Sequence, residues 1–83
     1  MAITAISVHE MRQMNKILRP KFGSALQVTS GSCEKSDGTV KYHLVIGDPI
    51  NTPSQENLLG IGKLLKEKWD SGAEYYSGTQ KIA

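Results

Sequence analysis

Hydrophobic positions along the chain change their spacing twice. Between residues 8 and 18, Val8, Met11, Met14 and Leu18 recur at the helical period, with polar residues between them. From residue 25 to 47 the spacing becomes alternate: Leu26 and Val28 in one run, Val40, Tyr42, Leu44 and Ile46 in a second. Beyond residue 54 the helical period returns in Leu58, Ile61, Leu65 and Trp69, with Leu64 beside them. The pattern predicts a helix, a β-hairpin and a second helix.

The local chemistry at the junctions agrees. Ser7 and Glu10 have the spacing of a capping box, and Ile6 and Met11 stand where a hydrophobic staple would. Pro20 disfavours helical geometry at Arg19, so the first helix is expected to stop there. Thr52-Pro53-Ser54-Gln55 reads as the start of the second helix, with Thr52 as cap and Pro53 at the first helical position. Gly72 is the expected left-handed stop.

The hairpin admits two registers. Asp37-Gly38 suits a two-residue type I′ turn, which needs positive φ at both positions. That register puts Leu26 and Val28 on the face opposite Tyr42, Leu44 and Ile46, because a shift of one residue exchanges the faces. A three-residue loop, Ser36-Asp37-Gly38, opposes Val28 to Ile46 and Ser30 to Leu44, and gathers all five apolar side chains on one face. Each is worth about 1.5–3 kcal/mol when buried, more than the preference of the turn, so the three-residue register is expected. Cys33 and His43 would then be diagonal neighbours on the open face.

Within the second helix, Gly62 falls in the apolar stripe and reads as a close-packing position, whereas Gly60 points away. Ala2 to Ile6 and Glu74 to Ile82 are candidate terminal strands. The expected fold is a two-layer α+β domain over residues 1–83: an antiparallel sheet built on the 25–47 hairpin with two helices on one face. If both terminal segments are strands, the order is βαββαβ, the ferredoxin-like arrangement, and right-handed crossovers place the first strand between the third and fourth.

Composition narrows the function classes. The chain has 83 residues, one cysteine and ordinary apolar and charged fractions, which suits one small globular domain without disulfides and a reducing, cytoplasmic setting. No segment is long and apolar enough to span a bilayer, and the N-terminus lacks a secretory signal pattern. The net charge of +2 argues against mimicry of a nucleic acid. It is unevenly placed: residues 1–24 carry Arg12, Lys16, Arg19 and Lys21 against Glu10 alone.

Candidate chemistry is sparse. Gly60-Ile61-Gly62-Lys63 resembles part of a phosphate loop, but Asn57 and Leu64 stand where that loop needs Gly and Ser or Thr. His9 and His43 have no Cys or carboxylate at metal-ligand spacing, and Cys33 with His43 lacks an orienting third group. No metal, cofactor or catalytic residue is expected. The open face of the hairpin lacks the paired aromatics of an RNA-recognition module.

What remains is the basic stripe His9, Arg12, Lys16 and Arg19, continued by Lys21. These five are the expected partner-binding residues, set against the alternative of an ordinary solvated helix face. The expected function is non-enzymatic protein–protein interaction, of adaptor or inhibitor type; small inhibitors carried by phages and mobile elements have this profile. A nucleic-acid-binding module using the same stripe is the alternative, and a homodimer through a strand edge is a further expectation.

Overall fold

The computed structural model describes residues 2–83. Its strands and helices are β1 (Ala2–Ala5), α1 (Val8–Phe22), β2 (Val28–Ser36), β3 (Thr39–Ile46), α2 (Gln55–Lys68), β4 (Ala73–Ser77) and β5 (Gln80–Lys81). Both terminal segments are strands, so the chain order is βαββαβ with a short fifth strand added. The result is the two-layer α+β fold expected.

The hairpin resolves its conflict by taking both registers. At the tip, Ser36 pairs with Thr39, and Asp37 and Gly38 adopt φ of 51° and 79°, the two-residue turn. Ser30 therefore opposes Val45, and Gly31 opposes Leu44; the expected pairing of Ser30 with Leu44 is not formed. A β-bulge between Val28 and Ser30 then shifts the register, and Val28 opposes Ile46 as expected. Thr29 is the extra residue, and its hydroxyl donates to the carbonyls of Val45 (3.2 Å) and Gly47 (3.3 Å). The turn keeps its preferred geometry and Val28 still reaches the core.

The sheet order is β1-β2-β3-β4-β5. β1 lies at the edge, antiparallel to β2, and not between the third and fourth strands. The handedness rule constrains only parallel crossovers, and β1 and β2 are antiparallel. At the edge, all four residues of β1 are exposed. β4 pairs with β3 in parallel, Tyr42 beside Tyr75 and His43 beside Tyr76, so the sheet is mixed and not purely antiparallel. The return path through α2 places β4 in that direction.

One sheet face and the two helices enclose the core: Ile6, Met14, Leu18, Val28, Tyr42, Leu44, Ile46, Ile61, Leu65, Ala73, Tyr75 and Ile82. Tyr42 and Tyr75 stack with ring centroids 5.4 Å apart. The first helix keeps its expected capping box, Ser7 Oγ accepting from the Glu10 amide at 3.1 Å. Val8, assigned to the apolar stripe, is 59% exposed.

The helix runs through Pro20 to Phe22 and ends with Gly23 donating to the Arg19 carbonyl. Phe22 explains the extra turn. It packs against the core, and a Cβ on Gly60 would lie 3.1 Å from its ring. Gly60 therefore faces Phe22 and not open solvent. Gly62 is tighter still: a Cβ there would stand 2.6 Å from the Ile82 carbonyl oxygen.

The second helix is capped by Ser54, whose hydroxyl accepts from the Asn57 amide, and not by Thr52. Its far end is Lys68, with no left-handed glycine. The buried Tyr75 hydroxyl takes that role by donating towards the carbonyls of Leu65 (3.2 Å) and Asp70 (2.8 Å) and accepting from the Asp70 amide (3.1 Å). The Leu65 carbonyl also accepts from the Trp69 and Asp70 amides, so the hydroxyl adds to those bonds and ties β4 to the helix end.

Candidate functional site

The first helix commits Met14 and Leu18 to the core and Met11 and Phe22 to its border. Residues three and four apart share a helix face, so Arg12, Lys16 and Arg19 line the neighbouring exposed side. They converge on a groove of about 400 Å³ completed by Asn15 and Gln27. Three of the five expected residues therefore come together. His9, one turn towards the N-terminus, is exposed but does not line the groove. Lys21 is also exposed, with its ammonium 5.7 Å from the centre of the Phe22 ring.

Asn15 and Gln27 are the groove residues that helical periodicity does not reveal. The Asn15 side-chain oxygen accepts from the Val28 amide at 2.7 Å, and its Nδ2 donates to the Val28 carbonyl at 3.0 Å. Opposite Ile46, Val28 turns its backbone polar groups away from β3, where no strand among the described residues covers them. Asn15 satisfies both groups and fixes α1 against β2, which gives the groove its floor and one wall.

The electrostatics of this groove are one-sided. Among the described residues the close contacts between basic and acidic side chains are His43 with Glu34 and Lys81 with Glu74; none involves Arg12, Lys16 or Arg19. Gln27 and Asn15 add amides and no negative charge. Three cations share one concavity without a carboxylate to answer them.

The open sheet face is arranged differently. Glu34, Lys41 and Glu74 lie side by side across β2, β3 and β4, and Ser32, His43, Tyr76 and Lys81 form the next row. His43 Nε2 is 3.3 Å from Glu34 Oε1, and the His43 and Tyr76 rings stack at 5.1 Å. The Tyr76 hydroxyl donates to Glu74 Oε1 at 2.8 Å, with Lys81 Nζ at 3.5 Å from the same oxygen. That hydroxyl, reinforced by Lys81, holds the Glu74 carboxyl below its usual range, and Glu74 pushes the Tyr76 phenol up. The ring pair was invisible without knowing that β4 lies beside β3. Each ring covers one face of the other, so the pair is a single stacked unit on the open face and not two separate rings.

Cys33 lies on the opposite, helix-facing side, between Thr4 and Tyr42, so it cannot work with His43. A second cavity, about 200 Å³, lies beneath β1 and is lined by Thr4, Glu10, Cys33, Lys35 and Tyr42 among others. Its size is below that of usual ligand pockets, and its Glu10 is engaged in the α1 cap. Gly60 to Lys63 lies inside α2, where the amides serve the helix. Among the described residues no three His, Cys, Asp or Glu side chains are grouped to hold a metal, and no helix is long and apolar enough to cross a membrane. Comparison of the chain with protein-family models, with curated proteins and with solved structures finds no match.

Proposed function

We propose that this chain is a non-enzymatic binding protein, of adaptor or inhibitor type, that docks an acidic surface of a partner protein into the α1 groove. The observation that carries this reading is the set Arg12, Lys16 and Arg19 around one groove with no ion-pair partner of their own. Like charges at these spacings repel by about 0.2–0.5 kcal/mol per pair, and partner carboxylates relieve that repulsion. Such cations also speed encounter with an acidic partner. Lys21 extends the positive field beyond one end of the groove, and His9 stands exposed beyond the other, neither lining it. A nucleic-acid backbone is the second reading, since the same cations suit phosphates. The groove itself carries no aromatic side chain on which a base could stack, which favours the protein reading.

The test is a double charge reversal, Arg12→Glu with Lys16→Glu. Both residues are exposed, so the melting temperature should stay nearly constant. Capture of the partner from nuclease-treated lysate should weaken at least tenfold, about 1.4 kcal/mol. Undiminished capture by the folded double mutant refutes the groove. Loss of capture on nuclease treatment, with a steep linear fall of log affinity against log salt, selects the phosphate reading instead.

A further inference from the structure

We propose that the outer edge of β1 is a self-pairing site through which two copies of this chain join their sheets. The Ile6 amide donates to the Gly31 carbonyl directly opposite it, at 2.9 Å. In an antiparallel ladder the hydrogen-bonded pairs alternate. Thr4 with Cys33 and Ala2 with Lys35 are therefore also bonded pairs, and Ile3 and Ala5 turn their amides and carbonyls outward. Among the described residues no strand covers that side of β1. Elsewhere the chain protects such groups: Asn15 covers Val28, and β5 is only two residues long. β1 carries no proline, charge or bulge, the usual devices that blunt an edge.

The outward groups are symmetric about Thr4, which is why the occupant is a second copy. Two β1 strands related by a two-fold axis through Thr4 pair Ile3 with Ala5 of the other copy, twice, and every outward donor meets an outward acceptor. Sliding the pairing by two residues in either direction carries one of the two outward residues off the end of β1, so half of those bonds are lost. In the matched register Ile3, 62% exposed, lies beside the small Ala5 of its mate on the open face, and the two Thr4 side chains meet on the helix side. Threonine pairs are favourable across strands. The four residues are uncharged, and the neighbouring Lys35 and Glu34 are one of each sign, so two copies do not repel at this edge. Four exposed residues bury far less than the roughly 800 Å² per partner of a stable interface. The dimer is therefore weak and concentration-dependent. It would also place two α1 grooves on one particle, a consequence that rests on the reading of the groove given above.

Sedimentation measured up to millimolar protein should show the mass rising from 9.1 kDa towards twice that value. Ile3→Pro removes an outward amide without touching the β1–β2 bonds, and should hold the chain at monomer mass with its melting temperature unchanged. Register is tested by cross-linking in a Cys33→Ser background under air with copper phenanthroline. Thr4→Cys sits on the axis and should form the intermolecular disulfide at least tenfold faster than Ile3→Cys. A wild-type chain that stays monomeric throughout, a dimer that survives Ile3→Pro, or equal cross-linking at the two positions would each overturn the proposal. None of these outcomes bears on the groove.

Discussion

Substituting Gly62 by alanine tests how α2 and the C-terminal segment fit together. On an isolated helix the change would stabilise by about 0.8–1 kcal/mol. In the fold, the added Cβ would stand 2.6 Å from the Ile82 carbonyl oxygen and 2.8 Å from its carbon, both backbone atoms. Neither can swing aside as a side chain end could, so the segment after β5 must move. That segment is anchored by Ile82, 4% exposed, and by bonds from the Ile82 amide to Tyr75 and from the Tyr75 amide to Ala83. Overpacking costs about 1–3 kcal/mol, while releasing Ile82 altogether forfeits about 1.5–3 kcal/mol of burial and about 0.5–1.5 kcal/mol for each bond lost. The chain takes the cheaper overpacked arrangement, and after the helix gain a net loss of up to about 2 kcal/mol is expected. For a domain of this size that lowers the melting temperature by about 4–8 °C per kcal/mol. The assay is a urea titration of four chains: wild type, Gly62→Ala, a chain ending at Lys81, and the combination. Without Ile82 the clash has no second partner, so the alanine should become neutral or stabilising there. An alanine that stabilises the full chain, or costs the same in both backgrounds, refutes the close approach.

Three further outcomes follow from the same contacts. Tyr75→Phe removes the hydroxyl donor from the carbonyls of Leu65 and Asp70, which keep their backbone donors, and should cost about 0.5–1.5 kcal/mol, read by denaturant titration at neutral pH. Burial raises the Tyr75 phenol, and to a lesser degree that of Tyr42, above the ordinary tyrosine value near 10. The folded chain holds protons that the unfolded chain releases, so this stability is complete below that pH and is lost as pH rises through it; the gap between wild type and Tyr75→Phe should narrow on going from neutral to strongly alkaline solution. Asn15→Ala strips both Val28 backbone groups of their partner and should cost about 1–3 kcal/mol, with hydrogen exchange at the Val28 amide accelerated beyond the global loss of stability.

The helices were legible because their signals are local. Ser7 and Glu10 cap α1 as their spacing says, and Arg12, Lys16 and Arg19 share a side by helical arithmetic alone. What the sequence does not carry is distance between remote segments. Pro20 is a local stop signal, and it is overridden by Phe22, which finds its place only when Gly60 arrives from α2. Asn15 is one polar residue among several until Val28 is brought beside it. In the hairpin, two local demands contradict each other, the turn at Asp37-Gly38 and the core face at Val28. A choice of either register is half right, since the bulge at Thr29 satisfies both. Tyr76 shows the same limit for the open face, because its stacking on His43 depends on a parallel pairing made through a whole helix.

The two polar surfaces of the molecule differ in a way that decides where a partner gains most. On the open sheet face, positive and negative groups alternate across the strands, with Lys81 and the Tyr76 hydroxyl already satisfying Glu74 and His43 resting against Glu34. A partner there must break existing contacts before it makes its own, and surface pairs of this kind gain little when exchanged for others. At the α1 groove no internal pair stands in the way. Arg12, Lys16 and Arg19 surrender only water, and their mutual repulsion is removed by any acidic surface that fits between them. The bidentate clamp of Asn15 on Val28 also sets the floor beneath those cations before a partner arrives, so less order has to be imposed on binding. A difference between faces of this kind predicts an asymmetric response to charge reversal. Lys41→Glu and Lys81→Glu, on the open face, should leave capture within about twofold of wild type, a change below about 0.5 kcal/mol, while the pair at Arg12 and Lys16 abolishes most of it. Equal loss from both faces would mean that net charge alone draws the partner, and that the groove has no special claim on it.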